Sequence, residues 1–166
     1  MVMKTGLFLL TASIIGLIIW ASIRIVCGVG FNIHCSQYLA RAGNANSVEL
    51  AKPNIESAIK YLEFNGLTNG IVSIFLRQPG NDIAFFYNNI KTCQDELDKI
   101  SENTTQLEKS NVLMKLRETL LENTKNGESV TCPDGISIYP HNIALFLLCT
   151  LSLIIGVIGV FGMDHY

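Results

Sequence analysis

Two cysteines and a histidine stand close together in RIVCGVGFNIHC, residues 24–35: Cys27, His34 and Cys35. Thiolate and imidazole are ordinary zinc ligands and ordinary partners in nucleophilic and redox chemistry. Cys132 or His141 could complete a ligand set. The spacing argues against it, because structural zinc sites place paired ligands two to four residues apart and no pair here does so. His34 and Cys35 are adjacent, so on a helix their side chains diverge. A thiol oxidoreductase would need closely spaced cysteines in an electropositive setting. The chain has neither Cys-x-x-Cys nor a βαβ pattern around one. Gly28 and Gly30 form a lone Gly-x-Gly without the third glycine, strand context or acidic residue of a dinucleotide site. Asp95, Glu96 and Asp98 sit beside Lys99 and read as a solvated helix face. The expectation is therefore a non-enzymatic protein with no catalytic residue, metal or cofactor.

The elements around these residues follow from composition. The 166 residues are 49% hydrophobic and 16% charged, and the apolar excess is concentrated. Residues 6–23 (GLFLLTASIIGLIIWASI) and 143–162 (IALFLLCTLSLIIGVIGVFG) carry no charge. As helices they extend about 27 and 30 Å, matching a hydrocarbon core about 30 Å thick. Both read as transmembrane helices. A cleaved signal peptide is the alternative for the first, but its apolar run exceeds the roughly 7 to 15 residues of a signal h-region. No ionisable residue inside either run marks an ion or proton path.

All Lys and Arg except Lys4, and all Asp and Glu except Asp164, fall between Arg24 and Asn142 with their signs interspersed. That balance offers no basic stripe for nucleic acid and no polybasic lipid patch. Lys4 ahead of a long apolar run reads as a signal anchor. It puts both termini in the cytoplasm and the loop in the periplasm, a lumen or the exterior. Cys27, Cys35, Cys93 and Cys132 then occupy an oxidising compartment and are candidate disulfide partners, with three pairings open. Cys149 lies inside the second span. Asn103-Thr104-Thr105 is a glycosylation sequon of little weight.

Within the loop, Val48, Ala51, Ile55, Ala58, Ile59 and Leu62 recur at helical spacing. Ser47 can cap this helix, but Pro53 would then lie well inside it, whereas a start at about Lys52 places Pro53 in the first turn. Asn65-Gly66 ends it. Residues 71–76 (IVSIFL) suit one short extended segment with no second strand to pair with. Ile71, Val72, Ile74, Phe75 and Leu76 are then a candidate surface for a partner or the membrane. Asn81 or Asp82 caps a second helix with Ile83, Phe86, Tyr87, Ile90, Cys93, Leu97 and Ile100 on one face. Thr104 or Thr105 with Glu108 resembles a capping box heading a third, striped by Val112, Leu113, Leu116 and Leu120. This third helix fades at residues 123–127, leaving a polar turn, and residues 129–142 read as a stiff extended connector.

The resulting fold class is an all-α membrane protein. Two transmembrane helices, 6–27 and 143–162, flank a small extracytoplasmic bundle of about three helices, 28–128, with one short extended segment. A head (1–5), the connector (129–142) and a tail (163–166) complete it. In the spans, Ala12 with Gly16 and Ser152 with Gly156 have the small-x-x-x-small spacing of close helix contact, and Gly159 extends it.

The block TQLEKSNVLMKLRETLL, residues 105–121, with Tyr61-Leu62-Glu63 and Asn65-Gly66-Leu67-Thr68, resembles a group of uncharacterised small bacterial membrane proteins, cyanobacterial ones among them. The likeness covers most of the chain between the spans and implies no activity, cofactor or site. The plan of span, helical bundle and span also resembles the input half of bacterial chemoreceptors in architecture, without their signalling output domain. The expected function is a protein-interaction, scaffold or accessory subunit of a membrane complex. Its partners are membrane lipid and a membrane protein or a second copy, and not nucleic acid. A sensory or ligand-binding input module is the alternative, and a thiol-redox protein ranks below both.

Overall fold

The computed structural model describes residues 2–125 and 127–164. Met1 of the head and His165 and Tyr166 of the tail lie outside them. The chain divides into two units, Met1–Gly28 with Ser137–Tyr166 and Val29–Ile136.

The first unit is a pair of helices, α1 (Val2–Phe31, through Gly28) and a C-terminal helix, Asn142–Asp164. Both are long and apolar enough to cross a membrane, and only 11% and 17% of their most apolar windows are buried. A helix apolar all round and largely uncovered suits a membrane span better than a soluble core. At the loop end of the first run, Arg24 lies over the Trp20 ring, 5.3 Å from its centroid. This cation–π pair is typical of the amphipathic residues at a bilayer interface.

The helix of α1 does not stop near Asn32. It passes through a π-helical turn, Asn32–Ser36, into α2 (Gln37–Gly43). The continuity follows from burial: Phe31, Cys35, Leu39 and Ala42 fall on one side and are nearly or wholly buried. Ser47 then accepts from the Leu50 amide and starts α3 (Val48–Phe64). The expected start at about Lys52 is thus corrected, and Pro53 lies inside the helix. Pro53 is tolerated because it and Glu49, whose carbonyl loses its donor, are both exposed to water. All six apolar positions of the α3 stripe are buried. The helix ends in a Schellman turn: Gly66 takes φ +67° and the Leu67 amide donates to the Leu62 carbonyl.

Asp82 accepts from the amides of Ala84 and Phe85 and opens α4 (Ile83–Asp98). Thr105 and Glu108 form the full reciprocal capping box at the head of α5 (Gln106–Leu120). Of the α5 stripe only Leu116 and Leu120 are fully buried. Lys52 pairs with Asp98 at 2.6 Å, joining the first turns of α3 to the end of α4.

Residues expected as a fading helix and a connector instead build an antiparallel hairpin, β1 (Leu121–Thr124) with β2 (Gly127–Val130). It docks on α2 at Gly43, where an added Cβ would lie 2.8 Å from Leu121 Cγ. The remainder of 129–142 is a chain of turns: the Ile136 amide donates to the Pro133 carbonyl over Gly135 at φ 83°. The Tyr139–Pro140 peptide is cis, and α6 (Asn142–Asp164) follows.

Candidate interaction surfaces

The two apolar helices meet through a seam of small residues. A Cβ on Gly156 would stand 2.6 Å from Ser13 Oγ, one on Gly159 would stand 3.0 Å from the Gly6 carbonyl oxygen, and one on Gly16 would overlap the Ser152 hydroxyl. The pairs descend in register, Gly6 with Gly159, Ser13 with Gly156, Gly16 with Ser152, as antiparallel helices require. Ser13 Oγ donates to the Ser152 carbonyl at 2.7 Å. Gly16, Ser152, Gly156 and Gly159 are therefore seam residues. Ala12 is not: it is exposed, and its neighbour Ser13 takes its place. Successive residues on a helix point about 100° apart, so a shift of one position moves a side chain off the seam. A polar residue inside a charge-free run was the overlooked signal.

Cys35 and Cys132 lie within electrostatic reach of each other, and burial, then Cys132, pushes the Cys35 thiol up to about 12. All five are free thiols, so the disulfide expected among Cys27, Cys35, Cys93 and Cys132 is not formed. Cys27 and Cys35 stand on one unbroken helix, where eight residues of rise amount to about 12 Å, beyond the roughly 7 Å limit between bridged Cα atoms. Cys35 is fully buried on the core side of the helix. Cys93 lies beside Thr119, and burial, then the charge of Glu96, pushes its thiol up to about 11. Burial, then Asp134 and Glu122, does the same to Cys132. Thiols so protonated at neutral pH are poor nucleophiles. His34 stacks on Tyr61 with centroids 5.9 Å apart, so its ring packs against an aromatic face. Among the described residues no three His, Cys, Asp or Glu side chains converge as a metal site would need.

The 71–76 run pairs only through one isolated antiparallel bridge, Ile71 with Asp82. The Val72 amide donates to the Asn81 carbonyl and the Ile83 amide to the Gly70 carbonyl, so the two ends of the loop are stitched together at the head of α4. This stitching buries Val72 at 4% exposure, which removes it from the candidate surface. Ile71 and Ile74 are both 37% exposed, while Phe75 and Leu76 stand out at 74% and 73%. Phe64 at 89% and Phe85 at 64% are exposed as well. Sequence reasoning placed neither there. Tyr87 donates its hydroxyl hydrogen to Glu63 at 2.6 Å, which joins the start of α4 to the end of α3 and raises the phenol pKa to about 12.

The other end of this unit is different in kind. A cleft of about 450 Å³ opens between the start of α3 and α5, lined by Ser47, Glu49, Gln106, Lys109 and Ser110 among others. Along α5, Leu107 and Met114 point outward, 70% and 58% exposed, seven residues apart on one face. Compared with protein-family models, curated proteins and solved structures, the chain matches none.

Proposed function

We propose that this is a non-enzymatic two-pass membrane protein with cytoplasmic termini, whose extracytoplasmic helical unit serves as a protein-interaction, scaffold or accessory subunit of a membrane complex. The observation that carries it is the outer face of α5. Leu107 and Met114 recur there at heptad spacing, bordered by Glu108, Lys115 and Glu118, in the manner of a helix awaiting a partner's groove or helix. The test is native purification in mild detergent. The protein is expected in an assembly heavier than its monomer, and Leu107→Ser with Met114→Ser should release it. Monomer alone from the unaltered chain would overturn the proposal.

The cleft beside Glu49 and Lys109 favours a second reading, a ligand-binding input module for a small polar molecule carrying both charges. A zwitterionic ligand would raise the melting temperature of the purified protein, and Lys109→Ala would abolish that shift. The raised thiol pKa values of Cys93 and Cys132 speak against the thiol-redox reading.

A further inference from the structure

Five contacts within the Val29–Ile136 unit locate its exposed aromatic residues at one end. Phe31 and His34, near the point where the chain enters the unit, pack on Tyr61 at centroid distances of 6.1 and 5.9 Å. The last turn of α3, with Phe64, is therefore at the entry end. Tyr87 bonds Glu63 there, which brings in the first turn of α4 and Phe85. Gly70 and Val72 are stitched to Ile83 and Asn81, so the loop carrying Phe75 and Leu76 springs from the same place. The exit is also there: Gly80, Asp82 and Phe85 share a small cavity of about 110 Å³ with Thr131, Cys132 and Pro133, just ahead of the last residue of the unit.

Entry and exit are each joined to a charge-free run by only a few residues, 24–28 on one side and 137–142 on the other. Even fully extended, six residues reach about 20 Å. The entry tether is part of one continuous helix and the exit tether is six residues long, so chain length alone keeps this end within reach of the charge-free runs. This end carries three exposed phenylalanines and a leucine, with Arg77 directly after Leu76 and Lys60 one turn before Phe64. Bulky apolar side chains beside a few cations match the boundary between headgroups and acyl chains.

We propose that Phe64, Phe75, Leu76 and Phe85 form a bilayer anchor, inserting into the headgroup and upper acyl region while Arg77 and Lys60 meet lipid phosphates. The occupant is lipid rather than a protein partner, because the short tethers keep lipid within reach of this face in every membrane. The proposal rests on α1 and α6 spanning the bilayer.

The test uses the full chain reconstituted in phosphatidylcholine vesicles containing lipid brominated near the headgroup. Trp20 is the only tryptophan. In the unaltered protein its quenching by lipid brominated along the acyl chain reports the span itself. In a Trp20→Phe background, the indole introduced by Phe75→Trp should emit in the blue, resist aqueous iodide and lose more than about half its emission to shallow bromine. Emission that bromine leaves unchanged overturns the anchor, whether iodide reaches the indole or a protein contact shields it. Quenching of Trp20 in that same case leaves the spanning reading intact, while unquenched Trp20 removes the spanning reading itself. Phe64→Ser with Phe85→Ser should return the introduced indole to water, with helix content by circular dichroism showing that the fold persists.

Discussion

Ser13 gives its hydroxyl hydrogen to the main-chain carbonyl of Ser152 at 2.7 Å, closing a contact between residues 139 positions apart across two apolar helices. The bond satisfies a hydroxyl that is nearly buried, and the glycines on either side let the helices come close enough to form it. Interhelical bonds of this kind contribute about 0.6 kcal/mol on average in membranes, so most of the adhesion comes from close packing.

The seam predicts a graded series. Ser13→Ala should lower the stability of the helix pair by about 0.6 to 1.7 kcal/mol. Gly156→Leu should do far more, because its first added carbon already meets Ser13 Oγ at 2.6 Å. Ala12→Leu should be neutral, since Ala12 lies off the seam. Thermal unfolding in detergent micelles measures all three, and a large loss for Ala12→Leu would refute the assigned register.

Docking of the hairpin on α2 hangs on one missing side chain. Gly43→Ala should destabilise the helical unit by about 1 to 3 kcal/mol, as overpacking generally does. The added carbon meets Leu121 Cγ at 2.8 Å, so Leu121→Ala should recover part of the loss. A double-mutant cycle from denaturant curves should show coupling above about 0.5 kcal/mol. Strict additivity would mean that the hairpin does not press on Gly43.

Pro53 sits in the interior of α3 on an exposed face. Pro53→Ala restores a donor for the Glu49 carbonyl and removes the ring's clash with the preceding turn, though it also frees the unfolded chain. The helix term is the larger, so the melting temperature should rise. A fall would show that the proline's stiffness matters more than the lost bond.

The thiols of Cys93 and Cys132 impose a pH dependence. In the fold Cys93 and Cys132 titrate near 11, above the usual value of 9.0 for the free group, so folding favours the protonated thiols. Their contribution is complete below pH 9 and disappears as pH rises through about 11. Stability should fall across that window, less steeply in Cys93→Ala. At pH 8 both cysteines should resist alkylation until the protein is unfolded, as followed by mass spectrometry. Rapid native labelling of Cys93 would contradict its burial.

The local signals were readable one residue at a time. Asp82 and the Thr105–Glu108 box cap their helices because capping needs only a side-chain oxygen two or three residues from a free amide, and Ser47 caps α3 in the same way although Pro53 argued for a later start. The six-residue stripe of α3 and the buried face of α4 repeat at the period of the helix itself. Leu121–Val130 was not readable: Leu-Glu-Asn-Thr and Gly-Glu-Ser-Val carry neither alternation nor β-branched runs. They become strands because Leu121 finds the gap above Gly43 and the ladder then pairs their amides.

By sequence alone the chain determined two charge-free segments of membrane-spanning length and the amphipathic helices between them, since burial of apolar groups and capping are set by composition and short-range spacing. Only the tertiary structure decided that Ser13 rather than Ala12 faces the second span, that the helix runs unbroken to Gly43, and that Phe64, Phe75, Leu76 and Phe85 collect at one end. Each of those depends on the rotation of one element against another far away in the chain, and the period of a single helix contains no information about where its partner stands.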